Sequence, residues 1–173
     1  GIGTDNPGNY AAALESNTTG RFNTAVATGA LGSCTEGDSN TAVGHSAGGA
    51  ITTADNNTLV GANAGDAMNT GTRNVAVGKG ALGVLTSGTD NVAIGGVDAA
   101  ASEVLGANLT GGGNIAIGGG TLANYTASNS LAVGYRALKA STDGHTNLSV
   151  GNYAGDGITT GDNNIMIGYE CGS

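Results

Sequence analysis

The chain contains no tryptophan, one proline, one phenylalanine and five tyrosines, and only 10% of its 173 residues are charged. So few large side chains cannot fill a thick globular core, because buried apolar area is what offsets the entropy lost on folding. The scarcity of charge excludes a highly charged disordered tail. Lysine and arginine number five against thirteen acidic residues, a net charge of −8. That balance excludes the basic footprint required for nucleic acid or an anionic membrane. No apolar run approaches the roughly 18 residues of a membrane span, and no signal peptide is visible. We therefore expect no nucleic-acid partner and no membrane insertion. Two cysteines do not make a disulfide framework. The chain opens on Gly1 and not on Met, which predicts a fragment or a processed product.

What the chain does have is glycine, 34 residues of it, and a repeat. The tract NTAVG (Asn40 to Gly44) recurs as NTLVG ending at Gly61, NVAVG at Gly78, NVAIG at Gly95 and NIAIG at Gly118. It continues as SLAVG ending at Gly134, NLSVG at Gly151 and NIMIG at Gly168, with an earlier copy, NTAVA, ending at Ala27. Counted from Ala27, the intervals are 17, 17, 17, 17, 23, 16, 17 and 17 residues. A fixed period of this kind identifies a solenoid, in which each unit buries its apolar side only against its neighbours. The chain is expected to be one repeat domain, 1–173. It divides into a degenerate N-terminal coil (1–22), regular coils (23–95), a coil with an insertion (96–113) and further regular coils (114–173).

Each column of the repeat has its own physical role. The residue before the glycine is always β-branched (Val26, Val43, Val60, Val77, Ile94, Ile117, Val133, Val150, Ile167), and two places earlier stand Thr24, Thr41, Thr58, Val75, Val92, Ile115, Leu131, Leu148 and Ile165. Between them the column is mostly Ala. Period-2 alternation of β-branched residues predicts a short strand, with its Val/Ile side turned toward the coil interior. An Ala column three residues after the glycine and an apolar column seven after it (Cys34, Ile51, Met68, Leu85, Tyr125, Ile158) predict a second strand. The turn that follows carries Gly37, Gly71, Gly88, Gly144 and Gly161 in one register, suited to a corner with positive φ. It closes on an asparagine column: Asn23, Asn40, Asn57, Asn74, Asn91, Asn114, Asn147 and Asn164. Stacked at one corner, these amides can hydrogen-bond along the axis, a structural ladder in preference to a row of ligand contacts.

The expected fold is all-β: a parallel β-solenoid of about nine 17-residue coils with two short strands per coil. Its interior of Val and Ala is thin, so lateral association of several chains is expected as well. The NxAVG/NxAIG core, followed by an Ala three residues on and a G-x-x-N turn, resembles the head repeats of YadA-like trimeric autotransporter adhesins. The resemblance implies a left-handed β-roll assembled as a homotrimer. The 17-residue coil is longer than the usual repeat of those heads, by an extended turn such as Thr52–Asn56. The same pattern with a longer repeat resembles segments of bacteriophage tail fibres. The opening GIGTDNP (Gly1 to Pro7) is similar to tracts in phage fibres that carry a self-cleaving C-terminal chaperone. These likenesses imply an extracellular structural or adhesive segment, of a virion fibre first and of a bacterial cell-surface adhesin second. The implied partner is a host-surface glycan or protein.

No constellation for catalysis is expected, and no cofactor or metal. His45 and His145 occupy different columns without converging ligands. Cys34 and Cys171 occupy packing columns and read as small buried hydrophobes. Asp38, Asp55 and Asp162 share a register interrupted by Thr72, Thr89 and His145, an acidic solvated edge in preference to a cation site. Between Gly95 and Gly118 there are six extra residues, with the Ala column broken by Asp98 and a helix-friendly piece over Ala99–Leu105. Insertions of this kind mark binding faces in solenoids, so Asp98, Ser102, Glu103 and Asn108 are candidate partner contacts. An ice-binding threonine row starts at Thr24, Thr41 and Thr58 but ends at Val75. A polysaccharide-cleaving solenoid would need clustered carboxylates and aromatic platforms, whereas the tyrosines are spread along the sequence.

Overall fold

The computed structural model describes residues 11–97 and 103–173. The described residues contain no helix and form one parallel sheet, built from β1 (Thr24–Val26), β2 (Thr41–Val43), β3 (Thr58–Val60), β4 (Val75–Val77), β5 (Val92–Ile94), β6 (Ile115–Ile117), β7 (Leu131–Val133), β8 (Leu148–Val150) and β9 (Ile165–Ile167). They are hydrogen-bonded in chain order, β1 to β9, each to the next coil. Register follows the sequence columns without a slip: Thr24 pairs with Thr41, Ala76 with Ala93, and Ile115 with Leu131 even though the interval there is 16. The chain is a β-solenoid with a repeat of about 17 residues.

The strand's orientation is the reverse of the sequence expectation. In every strand the middle residue is buried and the two flanking residues are partly or fully exposed. The interior therefore receives Ala25, Ala42, Leu59, Ala76, Ala93, Ala116, Ala132, Ser149 and Met166. The Val/Ile columns face outward. Alternation in a strand fixes that neighbours point to opposite faces, but not which face is inside. Volume decides it here, because the space behind the small middle residue is taken by a leucine four residues after the bend (Leu31, Leu82, Leu122 and Leu138) or, past the insertion, by Leu105, all fully buried.

A second correction concerns the rest of the coil. There is one strand per coil, not two, and the Ala column and the column after it lie on turns. Left-handed backbone recurs two and four residues after the bend, as at Ser46 (φ 54), Leu31 (φ 50) and Leu82 (φ 56), and it breaks any extended run. Each such non-glycine residue costs about 1–2 kcal/mol, which stacking must offset. The backbone groups still pair between coils: Leu31 N–H donates to Ala47 O at 3.0 Å and Gly48 N–H to Ala64 O at 2.9 Å. Ala30, Ala47, Ala64, Ala81, Ala137 and Ala154 are buried, as are Cys34, Ile51, Met68, Leu85 and Tyr125.

The turn glycines are not the left-handed corner. Positive φ falls two residues later, at Ser39, Arg73, Asp90, Thr146 and Asn163. Gly37 is glycine for lack of room: a β-carbon there would run into the Ala54 carbonyl oxygen of the next coil. At the bend, by contrast, both reasons apply. Gly44 has φ 136, and a β-carbon on it would meet the Gly61 carbonyl at 2.6 Å.

Candidate functional surfaces

The asparagine corner is a continuous hydrogen-bonded ladder. Each Asn N–H donates to the Oδ1 of the Asn one coil earlier, from Asn40 to Asn23 through Asn57, Asn74 and Asn91 to Asn114, at 2.9–3.1 Å. Each Nδ2 reaches a turn carbonyl of the following coil, as Asn57 does to Gly71 O at 2.8 Å. In the 16-residue coil Ser130 replaces asparagine. Its N–H donates to Asn114 Oδ1 and its Oγ accepts from Asn147 N–H, both at 3.1 Å. Tyr125 Oη completes the repair, 2.7 Å from Ser130 Oγ and 3.0 Å from Ser128 O. The ladder then resumes from Asn147 to Asn164. Its buried members are building elements, closed to outside ligands.

The aspartate register also acts within the fold. Asp38 Oδ1 accepts from Arg21 N–H, Asp55 Oδ1 from Asp38 N–H and Asp162 Oδ1 from His145 N–H, at 2.6–2.7 Å. These carboxylates cap backbone donors of the preceding coil. Turn threonines do similar work, with Thr142 Oγ1 donating to Thr159 O at 3.2 Å and Thr86 Oγ1 to Leu109 O at 2.9 Å. Among the described residues no group of three or more His, Cys, Asp or Glu side chains is placed to hold a metal ion. Cys34 is buried, and desolvation raises its pKa above the usual thiol value; Cys171 is half-buried against the core at the last coil. His45 and His145 are exposed, on coils preceding β3 and β8.

The insertion is placed differently from the sequence expectation. Asp98 and Ser102 lie outside the described residues, as does most of Ala99–Leu105. The coil resumes at Glu103, and the Ala column is filled by Val104, not broken. Leu82 N–H donates to Val104 O at 3.2 Å, which fixes that alignment. Asn108 takes the place of Leu85 in the inner apolar column. It is fully buried, with Nδ2 donating to Ala127 O at 3.0 Å and Oδ1 accepting from Gly111 N–H at 2.6 Å. It is therefore a packing residue and no partner contact. Glu103 is half-buried against the preceding coil, where a β-carbon on Gly83 would lie 2.8 Å from its Oε2. Burial first, and then the charge of Asp66, raise its pKa above the usual carboxylate value.

No family model, curated protein or solved structure matches the chain. Two surfaces of the described residues stand out.

The first is the outer face of the sheet. Val43, Val60, Ile94 and Val150 are each 37% exposed. Together with the column that starts at Thr24 and runs to Ile165, they form two parallel rows. Eight strand spacings of about 4.8 Å make this strip roughly 38 Å long. One row changes character along the axis, from Thr24, Thr41 and Thr58 on β1–β3 to Val, Ile and Leu on β4–β9, while the other is Val or Ile throughout. The strip leaves apolar side chains partly in water along the axis.

The second is aromatic. Tyr135, Tyr153 and Tyr169 sit just after the bend on three consecutive coils. The ring centroids of Tyr135 and Tyr153 are 5.4 Å apart and those of Tyr153 and Tyr169 6.3 Å, with interplanar angles of 85° and 82°. The Arg136 guanidinium lies 5.1 Å from the Tyr135 ring centroid. The Glu170 carboxylate beside Tyr169 holds its phenol pKa above the usual value. The tyrosines are thus not spread along the molecule, because three of them converge. Their spacings of 18 and 16 residues match no single column, which is why the repeat did not reveal them.

Proposed function

We propose that the chain is a non-catalytic structural segment of a bacteriophage tail fibre, which assembles as a homotrimer through the outer sheet face and carries contacts to a host surface. The observation that supports this reading is the Val/Ile strip on β4–β9, an apolar face that a lone chain leaves in water. Burying it against other copies supplies the apolar area that the thin interior lacks. A fixed rise per coil and a continuous ladder suit a part whose task is reach and stiffness. The GIGTDNP tract favours the phage source over the head of a bacterial surface adhesin, which the repeat core fits as well. An extracellular location, on a virion or a cell surface, goes with either source.

The test is the mass of the full chain in solution by sedimentation equilibrium. A trimer is expected, and Ile94→Lys with Val150→Lys, both at partly exposed positions, should release folded monomers. A wild-type chain that stays a stable monomer at micromolar concentration would overturn the reading. A trimer found with a coiled-coil stalk and membrane anchor in the parent polypeptide would transfer it to the adhesin.

A further inference from the structure

We propose that the tyrosine cluster on the last three coils is a carbohydrate-binding site for a neutral pyranose. The proposal goes beyond self-association and rests on the fibre reading only for the source of the sugar. Its starting point is how few aromatic residues the chain has. Of the described tyrosines, Tyr125 is consumed in the core, and the other three are all in this one patch.

The fold does not require them there. The first position after the bend, that of Tyr135 and Tyr169, holds His45, Ala62 or Lys79 in other coils, and the second, that of Tyr153, holds Ser46, Asn63 or Gly80. The rings steady one another edge to face and are carried on adjoining rungs, since Tyr153 N–H donates to Tyr135 O at 2.8 Å. A pre-set aromatic surface loses little freedom on binding.

The chemistry around the rings points to a sugar. The C–H face of a pyranose carries slight positive charge and packs on the negative face of an aromatic ring, as an aromatic edge does. Its hydroxyls need donors and acceptors at the rim of the ring. Here Asn152 is oriented by its Oδ1, which accepts from Tyr135 N–H at 2.9 Å, so its amide N–H groups remain to donate. Arg136 over Tyr135 and Glu170 beside Tyr169 place one charge of each sign at the rings. A neutral rim on a chain of net charge −8 selects against sialylated or sulfated glycans and for uncharged ones.

Saturation-transfer NMR on the full chain tests this with three probes: methyl β-galactoside, a β-linked glucose trisaccharide and a β-linked N-acetylglucosamine trisaccharide. Transfer to the ring C–H protons of at least one probe is expected. Tyr153→Ala and Tyr169→Ala should each weaken that binding by about fivefold or more, while Tyr169→Phe keeps most of it. No transfer to any probe, or transfer unchanged in both alanine variants, would overturn the proposal. Sedimentation of the same samples separates it from the trimer reading. A monomer that binds sugar through these tyrosines sinks the trimer alone, and a trimer that binds none sinks the sugar site alone. If Tyr169→Ala disperses the trimer, the rings belong to self-contact and the sugar site falls.

Discussion

Leu59 and Gly65 complement each other in size: a β-carbon placed on Gly65 would lie 2.9 Å from Leu59 Cδ2. The same exchange occurs at the last coils, where Met166 on β9 reaches over Gly155, whose β-carbon would meet its Sδ at 2.7 Å. On the coils of β1, β4, β6 and β7 the middle of the strand is alanine and the residue four after the bend is leucine. Leu59 also fills the level of Ala42, where a β-carbon on Gly48 would lie 2.7 Å from its Cδ1.

This exchange predicts a coupling. Leu59→Ala should cost about 2–5 kcal/mol through the cavity it leaves. Gly65→Leu alone should also destabilise, through overlap with Leu59 and a left-handed backbone at φ 58. The double variant copies the Ala76/Leu82 arrangement and should be more stable than the two separate costs allow, by at least about 1 kcal/mol. Additive denaturation energies would refute the size exchange.

At the asparagine corner, Asn57→Ala removes the acceptor for Asn74 N–H and the donor to Gly71 O. Two buried polar groups are left unmatched, so a loss of about 2–4 kcal/mol is expected. Asn57→Ser should lose less, because Ser130 shows that a hydroxyl can accept the next coil's N–H. Equal losses for the two variants in urea unfolding would contradict the ladder's role.

Two substitutions should stabilise. Thr146 is a β-branched residue held at φ 61, where neighbouring coils use Asn129 and Asn163. Thr146→Asn should therefore gain about 1 kcal/mol. Ser141 falls in the inner apolar column of Ile51 and Met68, and its buried Oγ lacks a hydrogen-bond partner. Ser141→Ala removes that desolvated hydroxyl and should gain about 1 kcal/mol. A lower thermal midpoint for either variant would count against the strain or burial assigned to it.

Glu103 makes a prediction about pH. Its carboxyl titrates above the ordinary 4.5 in the folded chain, from burial first and the Asp66 charge second. Between the unfolded and folded values the folded state holds more protons, so this group's stabilising contribution grows as pH falls through its folded pKa and fades as pH rises. Glu103→Gln should flatten that part of the profile, and it should raise the thermal midpoint most near neutrality. Parallel midpoint-against-pH curves for variant and wild type would show that Glu103 contributes no such linkage.

Period, register and the asparagine corner were all legible in the sequence, because identical residues at a constant interval have to stack on one another. Sequence alone determined that this chain is a parallel solenoid with a repeat of about 17 residues, with Asn57 over Asn40 and Val77 over Val60. Tertiary structure decided which way the strands face. A three-residue strand alternates equally well with Val inside or outside, and the choice depends on the leucine that arrives from the following turn in left-handed backbone. It also decided that Asn108 is buried and that Val104 resumes the Ala column, since the six extra residues can be absorbed at several points with the same count. The tyrosine cluster depends on three-dimensional proximity across columns, which a one-dimensional period does not record.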